Sequence, residues 1–389
     1  MRTPRRLLRR IDVLAMVLIS AAIAFGGCSS PPTATPAPKA SAPKWAKMGS
    51  PEYGVHVFLW GNGSTTERDL KLAREGGFGW VKQRFEWRYI ESKAKGQYEW
   101  NEPDRIVEAA GKAGLKIIAR IDNQPKWARS DTIFPTAGPP DKVEDFADFM
   151  FAVAGRYKGR IQAYEIWNEP NLAREWGNKQ PNAAEYVKIL KAAYLATKRA
   201  DPEALVISAG LSPTTASGDV ATPDEEFLKQ MYANGAKDYF DLLGIHAAGF
   251  KAPPETSPDD IAKDAKYNHG ESGAGRIYGF RHAEDVRAIM VQNGDTEKQV
   301  AVLEFGWTSD NRPGSPYAWH AVTEGEKADY LTRAFKFARE KWAPWIGVMS
   351  AIYIPEPRWT KEDEQYYWSI TNPDGTTRPA YDALKSMTK

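Results

Sequence analysis

Three observations predict a single-domain (β/α)8 barrel of the α/β class: eight short apolar runs separated by amphipathic stretches, a body over residues 45–389 with no low-complexity break, and no glycine-rich phosphate turn after an early strand. The runs fall at 53–59, 80–85, 116–121, 163–167, 205–209, 242–246, 300–305 and 346–353, and each gap has room for one helix. Helical periodicity is clearest where Tyr186, Ile189, Leu190 and Ala193 stand at i, i+3, i+4 and i+7, ahead of Pro202. A short helix at 380–387 closes the ring. A doubly wound open sheet is the competing fold, but Gly61-Asn62-Gly63 leads into no helix-opening glycine pattern.

The segment ahead of this body has a different character. The chain holds 52 Lys+Arg against 50 Asp+Glu, but five of those Arg and one Asp lie in the first 27 residues, which leaves the remainder at −2. A near-neutral body carries no electrostatic footprint for nucleic acid. One Cys excludes a disulfide framework and a Cys-ligated metal cluster. Arg2, Arg5, Arg6, Arg9 and Arg10 precede an apolar run over 13–25, which is shorter than the roughly 20 residues a spanning helix needs and reads as a signal segment. Phe25-Gly26-Gly27-Cys28 resembles the lipobox of a bacterial lipoprotein. That resemblance makes 1–27 a signal peptide and Cys28 the lipidated end of the mature chain, outside the cytoplasm and anchored to a membrane by lipid alone. An ordinary cleaved signal with a chance Cys is the alternative. Residues 28–44 are rich in Ser, Pro and Ala and contain five prolines, which marks a tether.

Functional groups of such barrels stand where strands end and loops begin. The fourth end reads Tyr164-Glu165-Ile166-Trp167-Asn168-Glu169-Pro170-Asn171 and the seventh Val302-Leu303-Glu304-Phe305-Gly306-Trp307. Alternation along the fourth strand puts Glu165, Trp167 and Glu169 on one face. Two carboxylates from non-adjacent strands meet the needs of glycosidic bond cleavage, in which one donates a proton to the leaving oxygen while the other attacks or stabilises the anomeric carbon. Most single Glu residues are merely exposed, so a Glu within an apolar strand end is the better candidate.

The stretch Glu165-Ile166-Trp167-Asn168-Glu169-Pro170-Asn171 resembles the acid/base motif of retaining glycoside hydrolases built on (β/α)8 barrels, the clan with families 5, 39, 42 and 53. Within that clan the chain looks most like family 39 and its bacterial exopolysaccharide-associated relatives. Supporting segments run in the family's order: Gly54-Val55-His56, Arg84-Phe85-Glu86-Trp87, Asn123-Gln124-Pro125-Lys126-Trp127, Gly244-Ile245-His246, Glu304-Phe305-Gly306-Trp307, and Asn372-Pro373-Asp374-Gly375 with Arg378-Pro379-Ala380-Tyr381. The resemblance implies Glu169 as general acid/base and Glu304 as nucleophile, with carboxyl groups about 5 to 5.5 Å apart. It further implies Asn168 on the sugar 2-hydroxyl, Arg84 beside Glu304, and His246 near the centre. A cation beside Glu304 favours its ionised form, and a Trp-walled site disfavours charge on Glu169. Two positions depart from the pattern. No Tyr follows His246 closely, so the Tyr that orients the nucleophile comes from elsewhere, with Tyr267 and Tyr278 as candidates, or is missing. The eighth strand end lacks a Trp before Trp359.

Trp60, Trp87, Trp127, Trp167, Trp176, Trp307, Trp319 and Trp359 fall at or after strand ends, where flat rings suit sugar faces. Trp127, Trp176 and Trp319 stand in loops and read as sugar contacts, Trp307 is counted with the substrate-binding residues, and Trp167 suits core and cleft equally. The long polar stretch 247–278 reads as a lid or binding loop. No His-Glu-x-x-His occurs, the five His are scattered, and His56 and His282 read as packing or helix-surface residues, so no metal or cofactor is expected. Gly270-Glu271-Ser272-Gly273-Ala274 misses the serine-hydrolase elbow by its last residue. The expectation is therefore a monomeric retaining glycosidase acting on a β-linked oligo- or polysaccharide. A catalytically silent carbohydrate-binding barrel and a transglycosylase remain the alternatives.

Overall fold

Eight parallel strands pair in chain order and close on themselves: β1 (Glu52–Val57), β2 (Trp80–Glu86), β3 (Lys116–Asp122), β4 (Ala163–Ile166), β5 (Leu205–Ser208), β6 (Leu242–His246), β7 (Gln299–Phe305) and β8 (Ile346–Ala351), with β8 hydrogen-bonded back to β1. This computed structural model describes residues 48–131 and 134–389, so the signal segment, Cys28 and the tether lie outside the described residues. Each strand is followed by a crossover helix: α1 (Thr66–Glu75), α2 (Asn101–Lys112), α3 (Val143–Arg156), α4 (Ala183–Ala200), α5 (Asp224–Ala233), α6 (His282–Gln292), α7 (Glu324–Phe337) and α8 (Pro379–Ser386). The (β/α)8 expectation holds. Strands β1, β4, β5 and β8 end one or two residues earlier than the apolar runs suggested, because at the mouth the chain leaves the ladder for irregular loops.

Local chemistry explains the helices. α4 starts where the Asn182 side chain accepts the Glu185 backbone N–H at 3.1 Å, and its predicted stripe of Tyr186, Ile189, Leu190 and Ala193 is buried. Full burial of one such large apolar side chain stabilises by about 1.5–3 kcal/mol. The Tyr186 hydroxyl also ties α4 to the strand ends, donating to the Ile166 carbonyl at 3.0 Å and accepting from the Ala209 N–H at 2.7 Å. α7 begins with a reciprocal capping box between Thr323 and Glu326.

The two faces of the sheet bury different things. Outward side chains such as Val57, Phe85, Ile121, Ile166 and Phe305 pack under the helices in the main core. Inward side chains form a second apolar cluster of Trp80, Ile118, Ala163, Ile207, Leu242, Ala301, Leu303 and Val348. Two residues further along their strands, the inward positions become Lys82, Arg120 and Glu165, so the barrel is apolar below and charged above. Irregular register between β7 and both neighbours matters here, because Leu303 and Glu304 face inward in succession while Val302 and Phe305 face the helices.

The 247–278 connection contains a short helix (Pro258–Lys263) and a 3-10 turn (Ala274–Ile277). It builds a small core of its own from Ala252, Ile261, Ile277 and Tyr278, with Phe250, Tyr267 and Trp319 packed against it.

His282 is buried rather than on a helix surface, and it joins α5 to α6. Its Nε2 lies 2.7 Å from Asp224 Oδ2 and its Nδ1 3.4 Å from Asp285 Oδ2. Burial alone lowers the affinity of this imidazole for a proton, but Asp224 and Asp285 outweigh it and lift the pKa to about 10. The folded pKa exceeds the ordinary value of 6.5, so the contribution to stability is complete below about pH 6.5 and fades as pH rises towards 10. The expected result for His282→Gln is a loss of about 3 kcal/mol at pH 6. Urea midpoints measured from pH 6 to 10 should converge for the two proteins; a constant gap across that range would contradict the assignment.

Candidate active site

At the charged end of the barrel, a carboxylate on β7 is surrounded by cations. Lys82 of β2 is fully buried and places its Nζ 3.0 Å from Glu304 Oε1 and 3.0 Å from Glu165 Oε2 of β4. Arg120 of β3 contributes Nη1 at 3.6 Å from Glu304 Oε1, while its Nε donates to Asp122 at 2.6 Å. His56 of β1 lies with Nδ1 3.6 Å from the same oxygen. Burial pushes the Glu304 carboxyl up, but Lys82 and the two histidines, His246 and His56, outweigh it and hold the group well below the carboxylate range. His56 itself, buried near Lys82 and Arg120, is held down at about 4 and is neutral at neutral pH.

Glu169 reaches the same place from the loop after β4. Alternation predicted it, but the route is not a continuing strand. Trp167 takes φ 75° and Glu169 φ 41°, left-handed values that are uncommon for side-chain-bearing residues, and Trp167 thereby turns away from the mouth. Trp167 is buried against Phe146 and Trp176 and donates its indole N–H to the Glu175 carbonyl at 2.9 Å. His246 of β6 stands between the two carboxylates, with Nδ1 3.0 Å from Glu169 Oε1 and Nε2 3.9 Å from Glu304 Oε1. Its ring lies against Gly210, where any Cβ would come within 2.3 Å of the imidazole. Arg174 donates from Nη2 to the other Glu169 oxygen, Oε2, at 2.8 Å.

The expectation that its surroundings disfavour charge on Glu169 needs correction. Burial does push this carboxyl up, but His246 and Arg174 outweigh it and bring the pKa down to about 2. Both glutamates are therefore ionised at neutral pH. The carboxyl raised by its surroundings is Glu175, which burial lifts to about 7 against the pull of Arg120.

Other predicted residues divide clearly. Arg84 does not reach Glu304: its Nε lies 3.2 Å from Asp122 and its Nη1 3.1 Å from Glu86, one layer further out than Lys82. Asn168 is buried beside the mouth, and its Oδ1 has no hydrogen-bond partner. Trp127 is half-buried, packed edge-on to Trp87 with its N–H donated to the Glu91 carbonyl at 2.7 Å. Trp307 is fully buried, donates to the Ala252 carbonyl at 3.0 Å and leaves no room for a Cβ on Gly249, so it packs the loop rather than meeting a ligand. Trp176 and Trp87 are likewise core, which removes Trp176 from the expected sugar contacts. Trp60, Trp319 and Trp359 keep partial exposure. Neither Tyr267 nor Tyr278 serves Glu304, since they bond Lys266 and Glu271 instead. The tyrosine near both glutamates is Tyr353, after β8, whose hydroxyl is raised well above its usual range by burial and by the charge of Glu304.

Lys82, Arg120, His56, Tyr353 and Arg174 were missed from sequence. Lys82 and Arg120 carried one usable signal, a cation at an inward position of an apolar strand run, which Lys82 shares with Arg84. Among the described residues, Glu225, His282 and Asp285 bring possible metal-ligand atoms within 4.8 Å of one another. That group lies at α5 and α6, and its members are engaged: His282 by Asp224, and Asp285 by Arg276 at 2.7 Å.

Comparison with known proteins agrees with this architecture. A family model described as cellulase (glycosyl hydrolase family 5) matches residues 41–233. A β-xylosidase of Geobacillus stearothermophilus is 29% identical over 125 residues, which is 29% of this chain and 24% of that protein. The chain thus spans about a quarter of the length of the curated relative it matches. Among solved structures, a family 39 glycoside hydrolase from the gut symbiont Bacteroides cellulosilyticus superposes with a TM-score of 0.62 at 22% identity, over 86% of this chain and 62% of that one. A family 39 β-xylosidase from Caulobacter crescentus gives 0.57 at 18% identity, over 88% and 72%. At these identities the structural likeness establishes the barrel fold.

Lys82 is the cation in contact with Glu165, and both side chains are fully buried. Lys82→Ala leaves two carboxylates close together without it and is expected to cost about 3 kcal/mol or more, whereas Lys82→Ala combined with Glu165→Gln should recover part of that loss. Denaturant unfolding of these two variants and of Glu165→Gln alone checks this; strictly additive losses would show that the pair is not coupled.

Proposed function

We propose that the chain is a retaining glycoside hydrolase that cleaves a β-linked oligo- or polysaccharide by double displacement. The observation that carries the reading is the convergence of Glu169 and Glu304 on the two nitrogens of one buried imidazole, His246, at the mouth of the barrel. In the first step Glu169, having taken up a proton from solvent as the sugar binds, gives it to the leaving oxygen while a Glu304 oxygen attacks the anomeric carbon and the bond to the leaving oxygen breaks. In the second step water attacks the anomeric carbon, Glu169 takes its proton, and the bond to Glu304 breaks, which restores both groups. Lys82 and Arg120 keep Glu304 anionic and ready to attack. The free Asn168 Oδ1 suits a sugar hydroxyl. The family 5 match and the family 39 likenesses support the same chemistry.

The ionised state of Glu169 favours a second reading, a silent carbohydrate-binding barrel, which predicts saccharide binding with no product. A panel of aryl β-glycosides and β-linked polysaccharides separates the two when assayed with wild type, Glu169→Gln and Glu304→Gln. Hydrolysis is expected for wild type with retained anomeric configuration by NMR, and losses of about 10²–10⁴-fold or more are expected in the variants. Equal rates in all three proteins would end the proposal. Mature chain is inferred to be held at the outer face of a membrane through lipid on Cys28, on the strength of the basic, apolar and small-residue pattern that precedes it. Metabolic labelling with a palmitate analogue should mark wild type and not Cys28→Ala; an unlabelled wild type would remove the anchor.

A further inference from the structure

We infer that Arg174 is a positioning residue that latches the acid/base carboxylate in the free enzyme and is displaced from it by the leaving-group sugar. The inference rests on the roles proposed above for Glu169 and Glu304. Both Glu169 oxygens are occupied, Oε1 by His246 and Oε2 by Arg174. Oε1 faces His246, whose far nitrogen points at Glu304, so Oε2 is the oxygen left to carry a proton to a leaving group. A leaving oxygen must come within about 2.6–3.2 Å of the proton donor. The Arg174 guanidinium already stands 2.8 Å from Oε2, so its charge opposes a proton there and it crowds the approach of the leaving oxygen.

The two partners of Glu169 differ in their freedom to leave. His246 is buried, seated on a strand and wedged against Gly210. Arg174 has a side chain 67% exposed, stands on a 3-10 turn (Ala173–Glu175), and makes no other hydrogen bond among the described residues. A second carboxylate waits for it: Glu175 Oε1 lies 4.0 Å from the guanidinium Nε, and a shift of about 1 Å brings it to charge-assisted hydrogen-bond distance. The groups that face Glu169 are His246 from β6, Glu304 from β7, Arg174 and Glu175 from its own loop, Tyr317 from the loop after β7, and Tyr353 from the loop after β8. Of these, Arg174 is the exposed cation. Its departure removes positive charge from Oε2 at the moment a proton is needed there, and its arrival at Glu175 keeps the guanidinium paired.

The test uses the pH dependence of steady-state kinetics on methylumbelliferyl and dinitrophenyl β-glycosides of the sugar identified by the panel. The alkaline limb of kcat/KM reports the acid in the free enzyme, and that of kcat reports it in the complex. For the methylumbelliferyl substrate, wild type should show the kcat limb about one pH unit or more above the kcat/KM limb. In Arg174→Ala and Arg174→Gln the kcat/KM limb should rise to meet the kcat limb, which raises kcat/KM about tenfold on the alkaline side. Arg174→Lys should lie between. The dinitrophenyl substrate, whose leaving group departs without protonation, should show no such shift. Unmoved limbs in Arg174→Ala and Arg174→Gln would overturn the inference, as would equal movement of both limbs, which means Arg174 stays on Glu169 through turnover. Failure of the underlying reading looks different: Glu169→Gln would then keep the wild-type alkaline limb.

Discussion

Lys82, with no exposed surface, sits between two glutamates, and the upper half of the barrel is organised around that contact. A buried ammonium is tolerable only when paired, and two carboxylates brought together at one cation need further positive charge, which Arg120 supplies. Four strands, β2, β3, β4 and β7, must therefore hold register for any of these charges to be accommodated. The apolar layer beneath, from Trp80 to Val348, keeps water from entering from below, so the field of Lys82 and Arg120 acts on Glu304 with little screening. A stability requirement and the ionisation of Glu304 thus have one source.

The barrel was legible because its signals are local. Apolar runs and crossover lengths survive in one dimension, and every predicted run became a strand. Depth within the barrel was not legible. Lys82 and Arg84 are two residues apart on one inward face, so alternation treats them alike, yet Lys82 contacts Glu304 and Arg84 belongs to the Glu86 and Asp122 layer above. Layer position depends on the stagger between strands, and a single strand does not record it. The tryptophans show the same limit. Trp307 and Trp176 stand where cleft residues stand in sequence, but the loops turn their rings back onto the core, and Trp167 does so through a left-handed backbone that no glycine announces.

Part of the aromatic surface that remains outside the main core lies on a long loop. Trp319 stacks on His269 at 4.2 Å between ring centres and meets Tyr278 edge-on at 5.2 Å, over the separate small core of the 247–278 connection. That wall is built from residues that share little packing with the strands. This cluster and the strand ends that carry the glutamates therefore belong to distinct packing units, an arrangement in keeping with the division between scaffold and loops in barrels of this kind.

The irregular register of β7 behaves like a reading frame. Strands β2, β3 and β4 count inward positions by twos, whereas β7 presents Leu303 and Glu304 in succession, so its last inward residue arrives one step out of phase. Substitution at one position along Val300 to Val302 changes a single side chain. Loss of one residue there pulls Glu304 back into the slot of Leu303, down among apolar neighbours and away from Lys82 and His246. The same composition then spells a barrel without a centre, which makes the spacing of this strand a heritable property of the molecule as much as any glutamate in it.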